Sequence, residues 1–274
     1  MISKKIIDPK DRFAFGKNWA NFLNTLNDAR IEEAVKSFTQ KTGLSDMTGL
    51  TFLDIGSGSG LFSLAAYKLG ANVISFDYDS DSVECTKYLK EKYCTDHGRW
   101  IVYQGSVLDQ DFLKQFGTVD VLYSWGVLHH TGHMYEAFNN VSSMVKKGGT
   151  LFIAIYNDQG GATRRWTWIK KKYTSSGSIM RSLLTTYTLF RQWTITLIKD
   201  SLASGNPFKT WCSYKENRGM SAWHDVVDWV GGYPFEVAKP EEVFHFFKEK
   251  DFHLAYLKTC AGGLGCNEFI FKKQ

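Results

Sequence analysis

With 274 residues, 43% of them hydrophobic and 22% charged, the chain has the composition of a soluble globule with one sizeable α/β core plus an insertion, and an aromatic share of 15% points to a ring-lined pocket or interface. The formal charge of +5 comes without a dense Lys/Arg block, which argues against a nucleic-acid groove, and no uncharged run approaches the ~18 residues of a membrane helix. Five cysteines without C-x-x-C spacing signal neither a disulfide framework nor a zinc site, and with no apolar stretch behind the N-terminal lysines they predict reduced thiols in a cytoplasmic protein.

In chain order, DRFAFGKNWANFLNTL comes first, an aromatic helical pattern carrying Phe13, Phe15 and Trp19. From residue 51 to about 156 strands and helices alternate. TFLDI, NVISFD, RWIVY, VDVLYSW and TLFIAIY read as strands, and helical spacing fills 60–69, 80–94, 109–116 and 133–146 between them. That alternation predicts a parallel sheet with helices on both faces. Lys146-Lys147-Gly148-Gly149 should end the last of these helices, since cations and glycines are its usual terminators. Residues 160–235 break the rhythm with an aromatic, basic, Ser/Thr-rich block and a helical candidate from about 179 to 202. A block inserted there reads as a lid or substrate-recognition element. Arg181, Arg191 and Lys199 among apolar residues leave a peripheral membrane contact open. PEEVFHFFKEK supplies a closing helix, and HLAYLKT and EFIFKK two closing strands.

The functional signal is FLDIGSGSGLFSL, residues 52 to 64. A strand, a glycine turn and a helix N-terminus form a nucleotide-type cradle. The dinucleotide fingerprint G-x-G-x-x-G fails, because Leu61 stands where its third glycine belongs. The pattern Asp54-x-Gly56-x-Gly58-x-Gly60, with Ser57 inside the turn, resembles motif I of the class I (Rossmann-like) methyltransferases that use S-adenosylmethionine. The resemblance implies a doubly wound, seven-stranded, mostly parallel sheet of order 3-2-1-4-5-7-6 with strand 7 antiparallel. It further implies a helical cap at 1–49, a cofactor domain at 50–159 and 236–274, and a lid insertion at 160–235.

Asp77 ends the second strand, 17 residues after Gly60, close to where a carboxylate accepts both ribose hydroxyls. The loop reading, with Asp79 or Ser80 capping the next helix, is compatible with that role. The resemblance places Ser106 and Val107, with Tyr78, around the adenine, and Phe15 and Trp19 in a cap over the cofactor, although a hydrophobic helix docked on the core has the same pattern. GVLHH matches the family's motif IV, V-L-x-H, which assigns His129 to shaping the cofactor pocket and leaves His130 as candidate base. Trp125 would contact the sulfonium by cation–π attraction or simply pack in the core. Beside the fifth strand stand Tyr156 and Asp158 as further catalytic candidates, Asp158 being the second choice of base. Asn157, Arg164, Arg165 and Arg218 are candidates for holding an acceptor, the arginines through phosphate or carboxylate. His224, Asp225 and Asp228 have too few companions to predict a metal.

These readings predict a methyltransferase that O-methylates a small anionic or sugar-like acceptor by in-line displacement. A nucleic-acid base methyltransferase is the first alternative, but Ser124-Trp125-Gly126-Val127 stands where an acid-Pro-Pro-aromatic signature would be. A non-enzymatic module that binds S-adenosylmethionine is the second. Oligomeric state leaves no trace in the sequence.

Overall fold

Apolar runs too short for helices and bounded by glycines become the strands of one sheet. The computed structural model describes residue 13 and residues 15–214, 221–263 and 265–274. Its strands are β1 Thr51–Ile55, β2 Asn72–Asp77, β3 Trp100–Gln104, β4 Val119–Trp125, β5 Val145–Tyr156, β6 Phe252–Lys258 and β7 Cys266–Lys273. They lie in the order β3-β2-β1-β4-β5-β7-β6, with β7 antiparallel to both neighbours and the first five strands parallel. The central strands are covered on both faces, which explains why TFLDI reads as an unbroken apolar run.

Successive side chains point to opposite faces. Phe52 packs with Val73, Val121, Tyr123 and Phe152 beneath α2 (Asp28–Thr42), α3 (Leu61–Lys68) and α4 (Ser80–Tyr93). Leu53 and Ile55 instead pack with Phe138 and Val141 of α6 (Met134–Met144), with Leu113 of α5 (Gln110–Lys114) and with Phe247 of α11 (Pro240–Lys248). Phe52 is fully buried, so Phe52→Ala should cost about 3–5 kcal/mol through lost transfer energy and the cavity left behind.

One boundary differs from the sequence reading. The KKGG run does not end a helix; α6 stops at Met144 and β5 already begins at Val145. Val145 is paired with Val119, the register shifts before Val121↔Thr150, and the Lys146 ammonium grips the Asp120 carboxylate at 2.9 Å. The two glycines therefore lie within an irregular strand start.

Above the carboxyl edge of the sheet lie α1 (Phe15–Leu23) and the inserted helices α7 (Gly161–Thr174), α8 (Ser178–Ser204), α9 (Lys209–Ser213) and α10 (Ala222–Gly231). They carry their own small cores, Trp166 with Trp229 and Val230, and Trp193 with Val226. The connections leaving β1 and β4 diverge to opposite faces, and such a switch point opens a crevice at the strands' carboxyl ends.

Candidate active site

The turn after β1 is shaped by its glycines. Gly56 and Gly58 take φ of 74° and 55°, a region that disfavours any Cβ. A Cβ on Gly56 would come within 2.4 Å of Val127, and one on Gly58 within 2.9 Å of the Trp19 indole nitrogen. The turn is thus clamped between the β4 loop and α1.

Asp77 closes the opposite side. Its Oδ2 accepts the Gly58 N–H at 2.9 Å and its Oδ1 the Asp79 N–H at 2.9 Å. A carboxylate has about four acceptor sites, so capacity for two ribose hydroxyls remains. Asp77 is open to the cavity and enclosed elsewhere, and that burial raises its pKa to about 6 against the pull of both N–H donors. Beneath the turn, Asp54 accepts from Ser63 Oγ at 2.5 Å; Ser63 meets Ser75 at 2.7 Å, and the Trp100 indole donates to Ser75 at 2.8 Å. Burial raises Asp54 to about 7, opposed by the Ser63 bond, so it braces the turn as a group poised between acid and carboxylate.

Both groups line one cavity of about 1380 Å³ that extends from the turn across the sheet edge into the inserted helices. Its near end includes Ser57, Leu61, Tyr78, Ser106 and Val107. Ser57 Oγ lies 2.9 Å from the Thr86 hydroxyl, Ser106 Oγ accepts the Leu108 N–H at 3.1 Å, and Asn140 donates to the Val107 carbonyl at 2.8 Å. Phe15, Trp19 and Trp125 also line it. The cap is fastened by the Gly16 N–H, which donates to Asp79 at 3.2 Å.

His130 lines the cavity, its ring 5.1 Å from that of Phe15. Its Nδ1 is 2.6 Å from the Pro234 carbonyl, and a carbonyl only accepts, so Nδ1 carries the proton. Nε2 is then the basic nitrogen. His129 is fully buried and off the cavity lining. Its Nδ1 accepts the Tyr156 N–H at 3.3 Å, and burial holds its pKa well below the usual imidazole value. It is a neutral support under Tyr156 rather than a contact for a ligand.

Tyr156 opens on the cavity, with its ring 4.0 Å from His129 and 5.1 Å from Trp229. Burial pushes its phenol well above 10, so at neutral pH it is a donor and no base. Asp158 is a correction. Its carboxylate accepts the Gly160 N–H and the Thr163 hydroxyl, each at 2.9 Å, which ties down the start of α7, lowers its pKa and keeps it off the lining. Asn157 is likewise spent on structure, accepting from Asn267 at 3.1 Å. Arg164 and Arg165 are exposed on α7, away from the cavity. Arg218 lies outside the described residues.

The far chamber is built from residues the sequence reading did not assign to an acceptor. Arg191 and Trp193 of α8, Tyr214, and Asp225, Asp228 and Trp229 of α10 line it. Asn18 donates to Asp228 at 2.8 Å and Tyr214 to Asp225 at 2.7 Å. Burial, then the neighbouring Asp225 carboxylate, raises Asp228 well above the usual carboxylate range, against the pull of the Asn18 hydrogen bond. Lys170 is fully buried under this wall, 4.2 Å from the Trp229 ring, and burial lowers its ammonium to about 7. His224 pairs with Ser221, and among the described residues no three His, Cys, Asp or Glu side chains converge as metal ligands. The available signal was the i, i+3, i+4 spacing of Asp225, Asp228 and Trp229 on one helix face.

Sheet order, glycine turn and β2 acid together define the class I, Rossmann-like methyltransferase fold. A family model described as a methyltransferase domain matches residues 27–195, and the chain belongs to that family. A ubiquinone biosynthesis O-methyltransferase from Pelagibacter ubique is 28% identical over 141 residues, covering 49% of this chain and 55% of that protein. The chain thus spans about half the length of the curated relatives it matches. Among solved structures, a SAM-dependent methyltransferase from Anabaena variabilis aligns with a TM-score of 0.56 at 13% identity, covering 98% of this chain and 96% of that one. Magnesium protoporphyrin IX methyltransferase from Synechocystis PCC 6803, solved with bound SAM, aligns with a TM-score of 0.50 at 10% identity over 89% of this chain and 78% of that one. These two share the fold.

Proposed function

We propose that the chain is an S-adenosylmethionine-dependent O-methyltransferase acting on a small, ring-bearing, hydroxylated acceptor. The observation that carries this reading is Asp77 facing the three-glycine turn in a cavity that continues past His130 into a second, ring-lined chamber. The residues fit the cofactor. Gly56, Gly58 and Gly60 leave the main chain of the turn open to a close approach, Asp77 keeps acceptor capacity for the ribose, and Leu61 stands where the dinucleotide fingerprint needs its third glycine.

In this reading Asp77 holds the ribose, Ser106 and Val107 flank the adenine, and Phe15 and Trp19 cover the site and keep water out. When bound, S-adenosylmethionine supplies a methyl group on a sulfonium that is already a good leaving group. The protein's own work is placement and one proton: His130 Nε2 takes the hydroxyl proton as the acceptor oxygen attacks. Tyr156 donates a hydrogen bond that orients the acceptor, and Asp225 and Asp228 line the same chamber.

The chamber supports a phenol or sugar better than a multiply charged anion. Trp193, Tyr214 and Trp229 offer ring faces, whereas Arg191 is the only arginine or lysine on the described lining and shares it with Asp225. The test is transfer of labelled methyl to a panel of phenols, sugars and their phosphates, with His130→Ala beside the unaltered chain. Product from neutral hydroxylated rings, lost in the variant, is expected; no labelled product from any hydroxyl acceptor would overturn the O-methyl reading.

A further inference from the structure

Helix α8 has two working faces. Inward, Gln192, Trp193 and Thr196 line the cavity. Outward, Ile179, Leu183, Tyr187, Phe190, Ile198 and Leu202 form an exposed stripe, with Ile179, Phe190 and Leu202 at 80, 65 and 84% exposure. Their spacings of three, four and eight residues keep them on one side of a helix ~40 Å long. Exposed apolar residues scattered singly are ordinary, but a stripe along a whole helix marks an interaction surface.

Charge says what covers it. Residues 160–214 hold nine lysines and arginines against one acid, Asp200, although the whole chain nets only +5, so the remainder is net acidic. All nine but Lys170 are exposed. Arg181 is held by the Tyr173 and Thr174 carbonyls at 3.1 and 2.9 Å, whereas Lys171 and Lys172 of α7, Lys199 of α8 and Lys209 of α9 are exposed. A second copy placed symmetrically on this face would bring like charges together. An anionic bilayer surface satisfies both the apolar stripe and the basic excess of the inserted helices. Trp168 and Tyr187 are exposed on the same two helices, and such rings favour the headgroup level. Among the described residues no helix is long and apolar enough to cross a membrane, so α8 would lie in the surface.

We propose that the outer face of α8 docks on an anionic lipid bilayer and that the cavity, walled by the same helix, draws a lipid-borne acceptor from it. The second half of this statement rests on the methyl-transfer reading above.

The test is flotation of the full chain with vesicles of phosphatidylcholine alone or mixed with phosphatidylglycerol, with S-adenosylhomocysteine titrated in parallel. Expected is at least about 10-fold stronger partition onto the anionic vesicles, weakened by high salt. Leu183→Glu/Phe190→Glu should lose about 10-fold of that partition while S-adenosylhomocysteine affinity and thermal midpoint hold. Lys199→Gln/Lys209→Gln, which alters only exposed charges, should erase most of the preference for anionic lipid. A chain that stays in solution with both vesicle types, or partition indifferent to both double variants, overturns the proposal. So does a self-associating chain that Leu183→Glu/Phe190→Glu turns monomeric. Failure of S-adenosylhomocysteine to bind, with partition intact, would instead strike the methyl-transfer reading.

Discussion

At the carboxyl ends of β1 and β2 the cavity wall is largely main chain: positive-φ glycines, N–H groups on Asp77, and one buried acid bracing them from below. Across the cavity, α8 and α10 present side chains, with Trp193, Asp228 and Trp229 held by contacts among the inserted helices and α1. The first wall tolerates almost no substitution because backbone geometry is the site. The second can change residues while keeping its shape, which is how one cofactor seat comes to serve different acceptors.

Substitutions should separate the two walls. Gly56→Val demands a β-branched residue at φ 74° against Val127; titration should show S-adenosylhomocysteine binding abolished, with stability lowered by about 2–3 kcal/mol or more in a denaturant melt. His130→Ala should cut methyl transfer about 10²–10⁴-fold while affinity for S-adenosylhomocysteine stays within about 3-fold. Equal loss of both would place His130 in the cofactor wall instead.

Two effects on stability alone sharpen the contrast. Asp54 titrates near 7 in the fold and near 3.8 when unfolded, so across that window the folded state keeps a proton the unfolded chain has released. The contribution of Asp54 to stability therefore falls as pH rises through the window. Relative to the unaltered chain, Asp54→Asn should gain about 4 kcal/mol between pH ~4 and ~8, read from urea melts at several pH values. A pH-independent difference would contradict the buried-acid account. Asp158→Ala should cost about 1 kcal/mol through loss of its bonds at the start of α7 and leave the transfer rate within about 2-fold.

The sequence carried the first wall well and the second poorly, for physical reasons. A glycine on alternate positions after an apolar run encodes its conformation locally, and Asp77 follows from strand length. Asp158 misled because it directly follows β5; yet Asp158-Gln159-Gly160 is also a turn in which the carboxylate takes an N–H two residues on, as the structure has it. Charge alone singles out Arg164 and Arg165, but helix azimuth, set by burial of Trp166 and Ile169, turns them outward. Where α10 would present Asp228 depends on Asn18, 210 residues away in sequence, and no local pattern encodes such a meeting.

What must hold is that the three-glycine turn and Asp77 seat an amino-acid nucleoside. Calorimetric titration of the chain with S-adenosylhomocysteine and, separately, with NAD tests it most directly. The account predicts one site for S-adenosylhomocysteine, weakened about 10-fold or more by Asp77→Asn, and no heat from NAD. Silence with the sulfur compound and tight binding of NAD would contradict it.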